Sequence, residues 1–411
     1  MNRNSAAVGL PPARTAELLL LDAVGALDRI ARGVSQLDAE LASNGAPERK
    51  RMLRHLLFTF FRRKKYIDLR LSEYLRRPTA PRLHRLLEAA ATQILFQRGV
   101  PPESVVNVAV EIAKRNHAAG FVNAVLRRIA AVPAAELAET PESLFPDAVL
   151  ARWRRRFDAE PIAGFVECWL AEPPFTFRLC ARENEPNFPA TEIPSFGGNR
   201  FFLAEASAVL DSEALKRGGF YIQDPAASLA PSLVPEPEKI RSALDLCAAP
   251  GGKALMLAEM LTAPNLRFVA ADPSEKRQRL TRENFALRRH PVEIVVGEPS
   301  DITDSFDLVF ADVPCTNTGV FRHRPDALWR FGAETLRRTV AQQREILHEA
   351  ARLTAPGGTL IYSTCSIEPE ENGDLLAEFV GENPEFTLGE SRLLLPAAEH
   401  DGAFAARLRR R

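Results

Sequence analysis

The cysteine pairs that bind zinc or build disulfide frameworks are missing from this sequence. Its 411 residues include five cysteines, which lie far apart and form no Cys-x-x-Cys pair. An odd number of widely spaced cysteines argues against both a disulfide framework and a zinc site. We therefore expect free thiols, a reducing cytoplasmic environment and no metal.

Long apolar runs and an excess of one charge are also missing. The apolar run at 18–21 is interrupted by Asp22 and Asp28, so we expect no signal peptide. No stretch is apolar for long enough to span a membrane, and there is no internal repeat. Lys plus Arg and Asp plus Glu number 53 each, so the net charge does not indicate a polyanion partner. We expect a cytoplasmic monomer without a membrane partner.

The length suits two or three domains, and the first third has helical patterning. Apolar residues in 105–113 recur at helical spacing, although their β-branched side chains leave a strand open as an alternative. A second apolar run covers 86–96, and 120–128 has the pattern of a short helix. We predict a helical domain over residues 1–133.

Basic clusters interrupt the apolar positions of this third. They are Arg49-Lys50-Arg51, Arg54-His55, Arg62-Arg63-Lys64-Lys65 and Arg76-Arg77. Such clusters can be solvated helix faces, or they can form an electrostatic footprint for RNA phosphates. The sequence leaves both interpretations open.

The remainder of the chain changes character twice. Residues 132–146 are rich in Ala, Pro and Glu and predict a linker, and 147–237 predict a small mixed α/β subdomain. A catalytic domain is predicted over 238–411, where strands alternate with helices, as in a parallel doubly wound sheet. The predicted strands are 243–247, 268–271, 293–296, 308–311 and 360–364, and a long amphipathic helix is predicted over 333–353, ending at Pro356-Gly357-Gly358.

A nucleoside site is predicted where the first of these strands ends. Small residues at 247–253 let the backbone approach a ligand, and Asp272 ends the next strand about 20 residues later, where an acid can accept ribose hydroxyls. The dinucleotide pattern G-x-G-x-x-G is absent. The P-loop pattern fails because Ala254 occupies its Ser/Thr position. An adenosine ligand without phosphates, such as S-adenosylmethionine, fits better, although a tight turn without a ligand is the alternative.

Two cysteines are predicted at the same edge of the sheet. Cys315 follows the fourth strand in an Asp-x-Pro-Cys run, and Cys365 ends the fifth. These strands are neighbours in the usual order, so both thiols would face one pocket. A single such cysteine would most simply be a buried apolar residue, but two at matching strand ends favour chemistry.

Cytosine methylation at carbon 5 requires such an arrangement. Carbon 5 is a poor nucleophile until a thiolate adds to carbon 6 and pushes electron density onto it. An acid near nitrogen 3 stabilises the adduct, and Asp312 is a candidate if it is protonated or passes a proton along. A base must then remove the carbon 5 proton so that the cysteine can leave.

These motifs resemble those of the RNA cytosine-5 methyltransferases. The resemblance rests on 245–253, on 312–315 with Thr318-Gly319-Val320, Arg322 and Pro325-Asp326, and on 357–366 with Glu370-Glu371-Asn372. Residues 109–114 and 120–128 resemble a NusB-like RNA-binding domain. Together they resemble the bacterial small-subunit ribosomal RNA cytosine-5 methyltransferases of the B type (Sun/Fmu family) over nearly the whole chain, most weakly between 170 and 217.

The resemblance implies a fold, a cofactor and site residues. It implies an α/β chain with an all-helical NusB-like domain followed by a Rossmann-like methyltransferase domain. Cys365 would be the nucleophile, Cys315 would help release the product, and Asp312 would contact cofactor or base. The partner would be RNA, specifically small-subunit ribosomal RNA. S-adenosylmethionine would be held by Cys247, Ala248, Ala249, Pro250, Gly251, Gly252, Lys253, Asp272 and Glu298, where Glu298 stands in place of the family's usual Asp.

Two other functions compete with this interpretation. A DNA cytosine-5 methyltransferase would use the cysteine at position 315 as nucleophile and would lack a second one. A non-catalytic RNA-binding factor would keep the helical domain and a vestigial sheet domain. Cys365 and the NusB-like region argue against the first, and the complete set of motifs argues against the second.

Overall fold

The structure is a computed structural model that describes residues 12–42, 46–132, 139–180 and 185–411. The chain forms two compact units. The helical unit consists of Met1–Leu170 with Arg324–Trp329, and the sheet unit of Ala171–His323 with Arg330–Arg411. Part of the predicted linker, 133–138, lies outside the described residues. No described helix has the length and apolar character needed to cross a membrane.

Helices build the first unit around a core of buried Leu, Ala, Val and Phe side chains. Proline stands in the first turn of several of them, where its missing N–H leaves no hydrogen bond unmade. The helix predicted at 120–128 is confirmed, 105–113 is a helix and not a strand, and the apolar run 86–96 lies within a helix. The helices between Pro12 and Leu170 are, in chain order, α1 (Pro12–Ala31), α2 (Leu37–Leu41), α3 (Pro47–Ser72), α4 (Pro81–Phe96), α5 (Pro102–Lys114), α6 (Ala119–Ala130), α7 (Pro141–Leu144), α8 (Asp147–Trp153) and α9 (Ala159–Leu170).

The predicted subdomain over 147–237 does not form one unit. Its first part, α8 and α9, belongs to the helical unit, and only the part from Ala171 belongs to the sheet unit. Aromatic packing explains the division. Trp153 and Trp169 are fully buried against Phe145, and Trp169 Nε1 donates to the carbonyl oxygen of Arg62 at 2.9 Å. The burial of these two large aromatic side chains ties α8 and α9 to the helical core.

The described residues of the sheet unit form two sheets. The smaller, antiparallel sheet has the order β2-β3-β1-β4, and the larger has the order β10-β11-β9-β8-β5-β6-β7. The strands are β1 (Thr176–Leu179), β2 (Ala190–Ile193), β3 (Phe201–Ala204), β4 (Phe220–Ile222), β5 (Ser242–Asp245), β6 (Arg267–Asp272), β7 (Glu293–Val296), β8 (Phe306–Asp312), β9 (Thr354–Thr364), β10 (Phe386–Leu394) and β11 (Ala403–Arg410). The helices of this unit are α10 (Ala206–Leu210), α11 (Glu213–Lys216), α12 (Gly252–Met260), α13 (Glu275–Arg288), α15 (Ala333–Leu353) and α16 (Gly373–Glu382). Nearly all of α14 (Asp326–Arg330) belongs to the helical unit.

The five predicted parallel strands are confirmed as β5 to β9. Strands β8 and β9 are neighbours as predicted, and β8 also pairs with β5. Helix α15 has the predicted bounds, but the chain does not turn at Pro356-Gly357-Gly358. Strand β9 already begins at Thr354, which pairs with Phe306, and the three residues lie within it beside a register shift. The strands β10 and β11, which pair antiparallel with the sheet, were not predicted.

Candidate active site

The loop between β5 and α12 forms a close backbone contact at its glycines. Gly251 has φ +102°, and a Cβ on it would lie 3.1 Å from Thr281 Cγ2 and 3.2 Å from Thr281 Cα. A side chain at this position would be strained by the backbone angle and crowded by α13. The Ala249–Pro250 peptide in the same loop is cis. The sequence therefore builds a tight, small-residue loop at the carboxyl end of β5, where ligands bind in such sheets.

Asp272 ends the neighbouring strand β6 beside this loop. Its side chain is 2% exposed, and its Oδ1 accepts from the backbone N–H of Ser274 at 2.9 Å. Its Oδ2 lies 3.2 Å from Arg277 Nη1, and the same guanidinium donates to the carbonyl oxygen of Ala249. An oriented, buried carboxylate that accepts hydrogen bonds, next to a glycine-lined loop, fits the hydroxyls of an adenosine ribose.

Burial shifts the acid at the start of the loop toward its neutral form. Asp245 is 1% exposed, and burial, followed by repulsion from Asp312, raises its pKa to about 8. Its Oδ1 accepts from the backbone N–H of Cys247 at 3.3 Å. Burial also raises the pKa of the Cys247 thiol, so this cysteine stays neutral.

Glu298 follows β7 and is exposed. Its backbone N–H donates to Asp301 Oδ2 at 2.9 Å, which caps a short turn. A cofactor contact for Glu298 remains a prediction.

The two thiols predicted to share a pocket lie side by side. Parallel pairing of β8 with β9 sets Asp312 opposite Ser363, and the chain then continues into Cys315 and Cys365. The two Sγ atoms are 2.9 Å apart. The predicted strand order therefore places both sulfurs at one edge of the sheet.

Asp312 connects the thiol loop to the cofactor loop. Its Oδ1 lies 2.6 Å from Lys253 Nζ and accepts from Ser363 Oγ at 2.6 Å. Burial lowers the pKa of Lys253, but attraction to Asp312 outweighs it, so the pKa is raised overall. Electrostatic interaction with Cys365 and Cys315 also raises the pKa of Lys253.

The thiols also differ in their own surroundings. A hydrogen bond with Cys365 is the largest cause that raises the pKa of Cys315, and burial is the next. Cys315 therefore holds its proton more tightly than a free thiol does, and either sulfur can be the donor in the contact between them. Two adjacent thiols titrate as a pair, and loss of one proton makes loss of the second harder.

Comparisons with known proteins identify the family. The NusB family model matches residues 12–131, and the model for 16S rRNA methyltransferase RsmB/F matches 231–409. A ribosomal RNA small subunit methyltransferase B from Klebsiella pneumoniae is 30% identical over 397 residues, covering 88% of this chain and 90% of that protein. The chain belongs to this methyltransferase B family.

More distant relatives agree with the same assignment. A probable ribosomal RNA small subunit methyltransferase B from Bacillus subtilis is 27% identical and covers 85% of this chain and 84% of that protein. The crystal structure of PH0851 has a TM-score of 0.76 at 21% identity and covers 98% of this chain and 99% of that one, which shows the fold. The predicted fold class and enzyme class, an S-adenosylmethionine-dependent RNA (cytosine-5)-methyltransferase, are confirmed.

Two residues of this methyltransferase site were not predicted from the sequence. Asn317 Nδ2 donates to the carbonyl oxygen of Cys315 at 2.9 Å, and its Oδ1 accepts from Cys365 Sγ at 3.2 Å. Its φ of +62° is left-handed, a conformation that asparagine adopts more readily than most residues. The Asn-x-Gly spacing after Cys315 was the available signal.

Glu371 is the second unpredicted residue, although its motif contributed to the resemblance. It is fully buried and accepts from the backbone N–H of Thr316 at 2.8 Å and from Gln343 Nε2 at 3.0 Å. The hydroxyls of Thr316 and Ser366 donate to it as well. Burial raises the pKa of Glu371, against the effect of these bonds. Through these hydrogen bonds, Glu371 holds Thr316 and Ser366, the residues that directly follow Cys315 and Cys365.

The basic clusters of the helical unit differ in availability. In the densest cluster, Arg63 pairs with Glu139, Lys64 with Asp68, and Lys65 with Asp147. Because these three cations are paired with acids of the same unit, they are less available to RNA phosphates than unpaired cations would be. Other basic side chains of this unit are exposed, namely Arg51, Arg54, His55, Arg76 and Arg77.

Proposed function

We propose that this enzyme methylates carbon 5 of a cytosine in small-subunit ribosomal RNA through a covalent bond between Cys365 and the base. The observation that carries the proposal is the 2.9 Å separation of the Cys315 and Cys365 sulfurs at two adjacent strand ends. A mechanism with attack and release by different thiols needs both at the same base. The names of the relatives support ribosomal RNA as the substrate.

We infer that the loop 247–253 and Asp272 hold S-adenosylmethionine. The side-chain-free turn at Gly251 and the buried Asp272 carboxylate support this assignment, because they suit a ligand that lies against the backbone and offers a ribose diol. When bound there, this cofactor supplies an electrophilic methyl group on a cationic sulfur. Glu298 is proposed as a further contact at the end of β7.

Cys365 is the proposed nucleophile because its neighbours favour its thiolate. The Cys315 sulfur lies 2.9 Å away, where its thiol would donate a hydrogen bond to a Cys365 thiolate, and the Lys253 ammonium interacts electrostatically with both sulfurs. A thiolate is the reactive form of cysteine, and nearby cations stabilise it. Its electron pair forms a bond to carbon 6 of the base, and carbon 5 becomes nucleophilic.

Asp312 is proposed to act together with Lys253. A carboxylate paired with an ammonium accepts hydrogen bonds and does not donate them. Asp312 therefore stabilises the adduct by orienting Lys253 or by accepting from the base. In this arrangement the Lys253 ammonium is the group that would donate a proton to ring nitrogen 3.

Cys315 is proposed to assist the final elimination. In its thiolate form Cys315 accepts the proton from carbon 5 and becomes a thiol. The electron pair of that C–H bond forms the double bond to carbon 6, and the bond from carbon 6 to Cys365 breaks to return a thiolate on Cys365. Cys315 lies beside that sulfur, and it is the thiol of the pair with the raised pKa. Its conversion between thiol and thiolate suits proton handling near the ring.

The helical unit is proposed to recruit the RNA. Its match to the NusB family and its exposed cations support this role. Phosphate contacts by such cations give salt-dependent affinity without sequence specificity. Specificity for one cytosine would then come from the sheet unit.

Transfer of labelled methyl tests the proposed reaction directly. The full-length enzyme should label small-subunit ribosomal RNA, leave DNA unlabelled, and lose activity on substitution Cys365→Ser. Mapping of 5-methylcytosine in the labelled RNA should find a single cytosine. Labelling of DNA alone, or of a position other than carbon 5, would reject the proposal.

A further inference from the structure

Arg322 lies on the loop that begins at Cys315, and its charge is buried. The side chain is 2% exposed. Its Nε donates to Asp401 Oδ1 at 2.9 Å and its Nη2 to Asp224 Oδ2 at 3.2 Å. Its Nη1 donates to the carbonyl oxygens of Ala397 and Ala398, both at 2.9 Å. The planar guanidinium fork thus makes bonds in several fixed directions, which a lysine could not reproduce.

These bonds join three loops of the sheet unit. Asp224 follows β4 and also accepts from the backbone N–H groups of Ala226 at 2.9 Å and Asp401 at 3.0 Å. Asp401 lies in the connection between β10 and β11. The loop after Cys315 is the third. Breaking one partner of such a buried charge network costs far more than an exposed ion pair contributes.

A chain of backbone bonds leads from this network to the nucleophile. The N–H of Gly402 donates to the carbonyl oxygen of Gly319 at 2.8 Å, and the N–H of Gly319 donates to that of Cys365 at 3.0 Å. A Cβ on Gly319 would lie 2.7 Å from the Gly402 oxygen and 2.8 Å from the Cys365 oxygen. The loop that carries Cys315 is therefore pressed against both the β10–β11 connection and Cys365.

Asp224 and Asp401 also lie close to His323, a grouping that resembles a cation site. His323 Nε2 lies 3.6 Å from Asp401 Oδ2 and 4.0 Å from Asp224 Oδ2. The Arg322 guanidinium already supplies the positive charge between them, and a metal ion there would be repelled by it. The arrangement is thus better suited to fixing loops than to binding an ion.

We propose that Arg322 is a positioning residue for the methyltransferase reaction, which holds the Cys315 loop against Cys365 through Asp224 and Asp401. This inference rests on the proposed function of the two cysteines. If Cys315 assists elimination, then a displaced loop leaves attack by Cys365 possible but slows release. Displacement of a reacting group by about 1 Å can cost about 100-fold in rate.

Trapping of the protein–RNA adduct by denaturing electrophoresis tests the inference in the full chain. Arg322→Met should accumulate adduct while both cysteines are present, and turnover should fall by about 10- to 100-fold. Asp224→Asn is the milder variant, because it keeps the shape of the side chain and disrupts only the bond from Arg322 Nη2, leaving the bonds of Arg322 to Asp401, Ala397 and Ala398. It should show the same effect more weakly and carries the test if Arg322→Met does not fold. Arg337→Met is the matched control, since Arg337 is 76% exposed and pairs with its helix neighbour Glu334; it should behave as wild type.

The outcomes separate this inference from the proposed function. Cys315→Ala, run in parallel, should trap adduct if Cys315 assists release, and absence of adduct there rejects the proposed roles of the cysteines. Adduct in Cys315→Ala but none in Arg322→Met or Asp224→Asn overturns the positioning role alone. Loss of adduct and turnover in equal measure in both variants would indicate a merely structural network and would also overturn it.

Discussion

Lys253 of the cofactor loop and Asp312 of strand β8 form an ion pair of 2.6 Å. This pair joins the loop assigned to the methyl donor with the strand end that leads to Cys315. We predict that the two side chains act as one unit. Lys253→Met and Asp312→Asn should each slow methyl transfer by about tenfold or more, since a hydrogen bond between charged groups contributes roughly 1.5–3 kcal/mol.

The double variant distinguishes a unit from two independent residues. Single-turnover methyl transfer by Lys253→Met/Asp312→Asn should be no slower than that of the worse single variant. Multiplication of the two single effects would show that the residues act separately.

Asp272 is predicted to anchor the ribose of the cofactor. A carboxylate that binds two hydroxyls makes charge-assisted bonds, so Asp272→Ala should weaken S-adenosylmethionine binding at least about tenfold. Isothermal titration calorimetry measures this affinity. Glu298→Gln is the comparison at the next strand end and should have a smaller effect because Glu298 is exposed. Unchanged affinity in Asp272→Ala would remove Asp272 from the site.

Asp245 should make the fold less stable as the pH rises. Its folded-state pKa of about 8 exceeds the ordinary value of about 3.9, so the folded protein keeps a proton that the unfolded chain releases. Its stabilising contribution is complete below about pH 4 and is lost as the pH rises toward about 8. Asp245→Asn mimics the neutral form and should lose less stability than wild type between about pH 5 and about pH 8.

Thermal unfolding of wild type and Asp245→Asn at about pH 5 and about pH 8 measures this difference in stability loss. Asp304→Asn, at a side chain 54% exposed, is the control and should follow wild type. Parallel pH dependence of wild type and Asp245→Asn would contradict the buried, protonated state of Asp245.

Exposed cations of the helical unit should contribute to the salt dependence of RNA binding. Arg51→Gln/Arg54→Gln should flatten the slope of log affinity against log salt by about 0.7 for each RNA phosphate that these arginines neutralise. Arg63→Gln/Lys65→Gln is the matched pair, because both cations are already bound to acids, and its slope should change less. If Arg63→Gln/Lys65→Gln changes the slope more than Arg51→Gln/Arg54→Gln does, the cluster at 62–65 contacts the RNA and this prediction is wrong.

Point substitutions are preferable here to removal of the first 133 residues. Helices α7 to α9 belong to the same unit, and the indole of Trp169 donates to a carbonyl of α3. A truncation at 133 would therefore cut through a packed core, and a loss of RNA binding could reflect unfolding.

Local patterns predicted the centre of the fold well. The five parallel strands are short apolar runs followed by small or acidic residues, and their order brought Cys315 and Cys365 together. Strand β10 was missed because most of its residues between Phe386 and Leu394 are exposed, and a polar edge strand lacks an apolar run. Strand β11 pairs with β9, a long-range contact that its own sequence does not reveal.

The supporting residues of the site depend on contacts between distant segments. Glu371 is satisfied by Thr316 and Gln343, and Arg322 by Asp224 and Asp401. A charged residue in a sequence is by default expected at the surface. Only the folded arrangement shows that these two are buried and that they fix the loops of the cysteines.

Covalent adduct formation with RNA tests the central claim most directly, because the roles of the two thiols differ in what accumulates. Cys315→Ala should trap a protein–RNA adduct that survives denaturing electrophoresis, since attack by Cys365 is intact and release is blocked. Cys365→Ala and the double variant should trap none. Adduct in Cys365→Ala but not in Cys315→Ala would contradict this account and make Cys315 the nucleophile.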